Sequence, residues 1–251
     1  MMIDTHCHLD IEDYEDVEEV IHHMDGNYMI ASGASPEGNK RVLELVEKYP
    51  NIYGTIGLHP ECASTYTKDD LLFVEENLNH PKIVGVGEIG LDYHYPDIDK
   101  EKQKELFIKQ IKLAQKYNKT IVIHSRDAAM DTYDILKEYL HQHKAILHCY
   151  GYSKEMALRF KEFPIKFGIG GVVTFKNGRR LQETVEALDL EDLVLETDSP
   201  YLTPEPFRGH KNEPYNIYYV AKKIAQIKHI TLENVLKTTL STSISQFDLK
   251  L

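Results

Sequence analysis

Thr120-Ile121-Val122-Ile123-His124, a helix-period stretch over 128–139, and then Lys144-Ala145-Ile146-Leu147-His148 make a strand–helix–strand unit. Each strand is a short apolar run closed by a histidine, the pattern of a parallel sheet strand whose end bears a functional side chain. The same alternation extends outward in both directions. Upstream lie a helix over 100–117, striped by Leu106, Ile108, Ile111, Leu113 and Ala114, and the strand Lys82-Ile83-Val84-Gly85-Val86-Gly87, which ends on Glu88. Before these come a helix opened by Thr67 with Asp70 and running to about 78, and the strand Ile52-Tyr53-Gly54-Thr55-Ile56-Gly57-Leu58, which ends on His59-Pro60. A helix over 36–49, a strand over 28–33, a helix over 14–24 and the opening strand Ile3-Asp4-Thr5-His6-Cys7-His8-Leu9-Asp10 complete that half. Downstream follow a helix over 153–160, a strand over 165–169, a helix over 178–188, and Leu193-Val194-Leu195-Glu196-Thr197 ending on Asp198. Two further helices are expected over 215–227 and 232–240.

Eight strand-like runs alternate with helices across 251 residues, with no linker, repeat or low-complexity tract. Doubly wound sheets alternate in the same way, but this number of units in this length fits a (β/α)8 TIM barrel with additional C-terminal helices, as a single domain over 1–251. The apolar share of 42% and charged share of 27% are ordinary for a globular chain. No apolar run is long enough to cross a bilayer, and the first residues enter a strand without a signal-type apolar core, so a cytoplasmic location away from membranes is expected. Cys7, Cys62 and Cys149 show no framework spacing and are expected as free thiols. The net charge of −11 excludes sequence-blind coating of nucleic acid. It leaves open a local phosphate site in which bound divalent cations reverse the potential. Nothing marks an obligate protein partner.

His6, His8, His59, Glu88, His124, His148 and Asp198 all fall at the carboxyl ends of expected strands or just beyond. In a barrel those ends converge on one face, where barrel enzymes carry their sites. The spacing His6-x-His8 puts two imidazoles on one side of a strand. His141 and His143 repeat that spacing at the end of an expected helix, so the spacing decides nothing without its company. Those two, with His22, His23, His80, His94 and His229, are expected on the surface.

Four imidazoles and two carboxylates exceed what one catalytic ion with an open position takes from a protein. They suffice for two. His6, His8 and Asp198 are expected to hold one divalent ion and His124 and His148 the other, with Glu88 bridging the pair. Paired ions acidify a shared water and clamp the attacking and leaving oxygens of a displacement. Asp198 is the carboxylate placed to take the water's proton.

Six ordered stretches carry a resemblance: Ile3 to Asp10, Ile56-Gly57-Leu58-His59-Pro60, Val86-Gly87-Glu88-Ile89-Gly90-Leu91-Asp92, His124-Ser125-Arg126, His148-Cys149-Tyr150, and Glu196-Thr197-Asp198-Ser199-Pro200-Tyr201. The chain resembles the TatD-type metal-dependent deoxyribonucleases from residue 3 to the Asn212-Glu213-Pro214 region. The resemblance implies a TIM barrel of the amidohydrolase-like superfamily. It implies hydrolysis of DNA phosphodiesters, commonly from 3′ ends, with Mg²⁺ or another divalent ion held at the same six positions. It also implies that His59 contacts substrate phosphate or orients the site. On ligand grounds Zn²⁺, Mn²⁺, Co²⁺ or Ni²⁺ also suits the imidazoles.

The absence of lysine from Ile83 to Leu91 fits the nuclease branch, because many superfamily relatives bridge their ions with a modified lysine there. The family's Arg-Gly-Lys before Asn-Glu-Pro becomes Arg208-Gly209-His210-Lys211-Asn212, which puts a near-neutral titrating cation in the place of a permanent one. Arg126, Tyr150, Arg208, His210 and Lys211, with His59, are the expected substrate contacts, cations for phosphates and aromatic faces for bases at a single-stranded or frayed end. Two other functions start from the same residues. A metal-activated water also attacks carbonyl carbon, as in an aminoacyl-tRNA ester or a small cyclic amide; the other alternative is a noncatalytic metal-binding scaffold.

Overall fold

The computed structural model describes residues 1–10 and 14–251. Eight parallel strands follow one another in sequence order around a single sheet: β1 (Ile3–Cys7), β2 (Tyr28–Ser32), β3 (Ile52–Ile56), β4 (Ile83–Asp92), β5 (Thr120–Arg126), β6 (Ala145–Leu147), β7 (Ile165–Ile169) and β8 (Leu193–Leu195). The ring closes where β1 meets the segment after β8. There Asp198 N–H donates to His6 O at 3.0 Å, His8 N–H donates to Ser199 O at 2.8 Å, and Cys7 pairs with Ser199. Between strands run α1 (Val17–His22), α2 (Pro36–Lys48), α3 (Lys68–Asn77), α4 (Lys100–Lys116), α5 (Ala129–Tyr139), α6 (Lys154–Phe160) and α7 (Arg179–Ala187), and α8 (Ile217–Lys228) and α9 (Leu232–Phe247) follow β8. This is the α/β barrel with extra C-terminal helices that the alternation implies. Among the described residues no helix is long and apolar enough to cross a membrane.

Local chemistry sets the helix starts. Ser35, Asp99 and Ser153 each accept a first-turn backbone N–H of the helix that follows, and Thr67 with Asp70 forms the capping box read from the sequence. The expected 14–24 helix is present only over α1, and residues 11–13 before it lie outside the described set.

The strands alternate between two layers. Met29, Ile52, Ile83, Ile121, Ile123, Leu147 and Phe167 point outward into the main core under the helices. Their neighbours Ile3, Ile30, Tyr53, Val84, Val122, Ile146 and Val194 fill the barrel interior, and Phe247 and Leu249 at the end of the chain plug it. Two residues beyond Ile30 and Tyr53, the buried hydroxyls of Ser32 and Thr55 bond to each other at 3.0 Å, so the interior turns polar towards the carboxyl ends.

Two expected boundaries are corrected. α9 runs to Phe247 although Ser241-Thr242-Ser243 breaks the apolar pattern, because Ser243, Gln246 and Phe247 are buried and the Ser243 hydroxyl turns back to Thr239 O at 2.8 Å. β4 does not stop before Glu88. It shifts register between Val86 and Ile89, then continues beside β5, with Gly90, Leu91 and Asp92 opposite His124, Ser125 and Arg126. Gly90 has φ +146°, and any Cβ there would collide with His124 O, so only glycine lets the two strands stay paired. The irregularity at Glu88 is a bulge, a device that re-aims a side chain out of the regular pleat.

Phe247→Ala empties the plug of the barrel floor, and a fall in unfolding free energy of about 3–5 kcal/mol is expected in chemical denaturation.

Candidate metal centre

The bulge in β4 brings Glu88, 4% exposed, to the centre of the carboxyl rim. Its two oxygens face different partners. Oε1 lies 2.7 Å from His124 Nδ1 and 2.7 Å from His148 Nε2, and Oε2 lies 3.3 Å from His6 Nε2 and 3.7 Å from His8 Nε2. Asp198 closes the second group, with Oδ1 3.6 Å from His8 Nε2 and 3.9 Å from His6 Nε2. Its φ of +52° is one that aspartate tolerates better than most side chains. The His6 and His148 rings stack at 4.0 Å and join the two groups.

Within each group the facing imidazole nitrogens are 3.3 Å apart, His6 Nε2 to His8 Nε2 and His124 Nδ1 to His148 Nε2. Two protonated rings at that distance repel each other, whereas lone pairs converge favourably around a cation. This donor set therefore fits divalent ions. Sets drawn from it, His6 with His8 and Glu88, Glu88 with His124 and His148, and His6 with His148 and Asp198, hold their donor atoms within 4.8 Å of one another. The last set crosses between the groups. We divide the cluster by the two oxygens of Glu88, because a shared carboxylate is what brings two ions together. Burial alone would push the Glu88 carboxyl up, but the imidazoles of His148, His124 and His6 outweigh it and hold the group well below the usual carboxylate range.

His59 follows β3 and caps a short 3-10 turn, Pro60–Ser64. Its Nδ1 accepts Glu61 N–H at 3.3 Å, which leaves the ring proton on Nε2, 3.7 Å from Glu88 Oε1. Burial lowers the His59 imidazole to about 4, so it sits at the site as a neutral donor.

Two carboxylates escape the strand-end reading. Asp92 Oδ2 lies 3.0 Å from His124 Nε2. Glu196, fully buried, accepts Cys149 N–H and lies 3.7 Å from His148 Nδ1. Asp92 stands an even number of residues past Glu88, which would have marked it as a neighbour had the strand been drawn long enough. Asp4 also counts: its Oδ1 accepts Thr197 N–H at 3.0 Å and His6 N–H at 3.1 Å, stapling the chain on either side of the barrel closure.

The expected substrate contacts divide. Arg126 is exposed at the end of β5, and Arg208, His210 and Lys211 are exposed in the loop after β8, where Arg208 stacks 3.7 Å over Phe175. Tyr150 is corrected: it is 3% exposed, packs against Phe167 at 5.1 Å, and donates its hydroxyl to Ser153 O. No face of it is left for a base. Of the histidines expected on the surface, His80 and His143 are half-buried, bonded to Glu47 and Lys119 O.

A parallel barrel that gathers imidazoles around a shared carboxylate at the carboxyl ends of its strands is the architecture of the metal-dependent hydrolases of the amidohydrolase superfamily. The family model described as TatD related DNase matches residues 3–248. The "Uncharacterized metal-dependent hydrolase YabD" of Bacillus subtilis is 41% identical, with 95% of this chain and 96% of that protein covered. The corresponding figures for the "Uncharacterized metal-dependent hydrolase YcfH" of Escherichia coli are 34%, 95% and 92%. The crystal structure of YjjV, a TatD homologue from Escherichia coli, superposes with a TM-score of 0.92 at 28% identity, covering 99% of this chain and 98% of that one. The chain belongs to the TatD family of metal-dependent hydrolases.

In metal-free protein His59 should stay neutral down to about pH 4, followed by the NMR signals of its ring carbons; a midpoint between 6 and 7 would contradict its burial. An imidazole in the unfolded chain titrates near 6.5, so the unfolded state takes up this proton first. The stability contributed by neutral His59 is complete above about 6.5 and is lost as pH falls towards 4.

Proposed function

We propose that this chain is a two-ion deoxyribonuclease that shortens DNA from single-stranded or frayed 3′ ends. The observation that carries the reading is the division of the Glu88 carboxylate, one oxygen towards His6 and His8 and the other towards His124 and His148. In this reading His6, His8 and Asp198 would hold one ion and His124 and His148 the other, with Glu88 as the ligand common to both. The choice of DNA follows the description of the family model. When bound, two divalent ions, Mg²⁺ by family expectation, would supply Lewis acidity and make the attacking water more acidic.

The side chains supply the rest. Asp198, 15% exposed at the edge of the cluster, accepts the proton of the attacking water. Neutral His59 donates from Nε2 to a phosphoryl oxygen, without adding a charge that would compete with the ions. Arg126, Arg208, His210 and Lys211 hold flanking phosphates on the rim. Tyr201, 59% exposed and edge-on to His8 at 6.4 Å, offers a stacking face that Tyr150 does not. Few cations are needed, since only an end must be gripped, and this accommodates a net charge of −11.

Purified protein with Mg²⁺ or Mn²⁺ should shorten single-stranded DNA labelled at its 5′ end to a ladder, and Asp198→Asn should lower kcat about 10²–10⁴-fold. Intact DNA together with rapid turnover of carboxylic esters or amides would replace this reading. His6→Ala combined with His8→Ala should lower the bound divalent ions from two to one by elemental analysis. Loss of both would refute the division at Glu88.

A further inference from the structure

Of the four imidazoles around Glu88, His124 alone, among the described residues, has its outward nitrogen hydrogen-bonded to a carboxylate. His8 Nδ1 meets the neutral carbonyl of Ser32 at 3.0 Å, His6 Nδ1 is buried without a hydrogen-bond partner, and His148 Nδ1 stands 3.7 Å from Glu196 Oε1, beyond hydrogen-bond distance. His124 Nε2 lies 3.0 Å from Asp92 Oδ2. Asp92 is 3% exposed and held from several directions: its Oδ1 accepts His94 N–H at 2.9 Å, Gln103 Oε1 accepts its backbone N–H at 2.9 Å, and Gln103 Nε2 donates to its carbonyl at 3.0 Å. The side chain has no freedom to turn away.

A neutral imidazole carries one proton, and an ionised carboxylate only accepts. In the ion-free ring Glu88 Oε1, 2.7 Å from Nδ1, competes with Asp92 for that proton; a cation held by Glu88 and His148 would exclude the proton from Nδ1, and Asp92 Oδ2 then accepts it at Nε2 and fixes the ring with Nδ1 towards the ion. We propose that Asp92 is a positioning residue that accepts the Nε2–H of His124 and so fixes the ring with Nδ1 as the cation-binding nitrogen of the Glu88–His124–His148 group. His59, Asp92 and His124 also lie close enough to suit an ion of their own. That alternative would require His124 to lose both ring protons and bridge two cations, whereas 3.0 Å is an ordinary charge-assisted hydrogen bond.

The proposal rests on the two-ion reading, and its test separates the two. Asp92→Asn keeps the size of the side chain. With its oxygen retained by His94 N–H, its amide becomes a donor towards His124 Nε2 and drives the ring proton to Nδ1. Calorimetric titration of metal-free protein with Mn²⁺ should show two ions for the wild type. Asp92→Asn should weaken one of them about 10–100-fold and leave the other unchanged, and Asp92→Glu, which restores the carboxylate, should recover most of the loss. Equal thermal midpoints of the two metal-free proteins exclude a folding defect. Two unchanged ions in Asp92→Asn, or equal weakening of both, would overturn the role of Asp92 alone. Fewer than two ions in the wild type would overturn the two-ion reading and this inference with it. Should Asp92→Asn fail to fold, wild-type protein loaded with two Zn²⁺ ions in which nitrogen-15 NMR finds the His124 proton on Nδ1 is itself decisive against the proposal.

Discussion

A carboxylate buried at the mouth of a barrel is costly unless cations or donors surround it. The rim answers that cost at Glu88. Three strands contribute four imidazoles to its two oxygens, β4 departs from regular pairing at that residue, and Gly90 allows the strand to rejoin β5 directly afterwards. Any rearrangement that moved Glu88 back into the regular pleat would leave the imidazoles facing one another without a counter-charge. The apolar floor formed by Ile3, Ile30, Tyr53, Val84, Val122, Ile146 and Val194, plugged by Phe247, supplies the rigidity that holds the rim in place. Stability and chemistry are thus stacked along the barrel axis, with the Ser32–Thr55 hydroxyl pair between them.

Much of this was legible in the sequence because the relevant signals are local. β-branched runs alternate with capped helices, and each candidate ligand closes a run, so chain order alone placed His6, His8, Glu88, His124, His148 and Asp198 on one rim. What was hidden depends on tertiary contact. Asp92 and Glu196 act behind the imidazoles, and their partners are set by strand pairing and by the turn after β6, which no periodicity records. Tyr150 was misplaced for a related reason: it directly follows a strand-end histidine, but its ring turns inward onto Phe167 and away from solvent. The length of α9 was underestimated because serine and threonine are weak helix formers, and burial against the barrel floor overrides that preference.

The nitrogens that His6, His8 and His148 direct at Glu88 are all Nε2, whereas His124 uses Nδ1. With Nδ1 inward the ring stands closer to its own backbone and its far nitrogen reaches β4, which is how one side chain comes to touch Glu88 and Asp92 together. His59 packs edge-on against the same ring at 4.4 Å. His124 is therefore the point at which the ion cluster, the neutral donor and the extension of β4 meet.

The staple between Asp4 and Thr197 spans 193 positions of the chain. His6 and His8 leave a ribosome well before the partner that closes their side of the cluster, Asp198, which lies beyond the eighth strand. At about 5–20 residues per second an interval on the order of 10–40 s separates the two. Through that interval the His-x-His pair has neither Glu88 nor Asp198 fixed beside it, and the barrel cannot close. Capture of an ion by this group is in that sense a report that synthesis has passed the eighth strand.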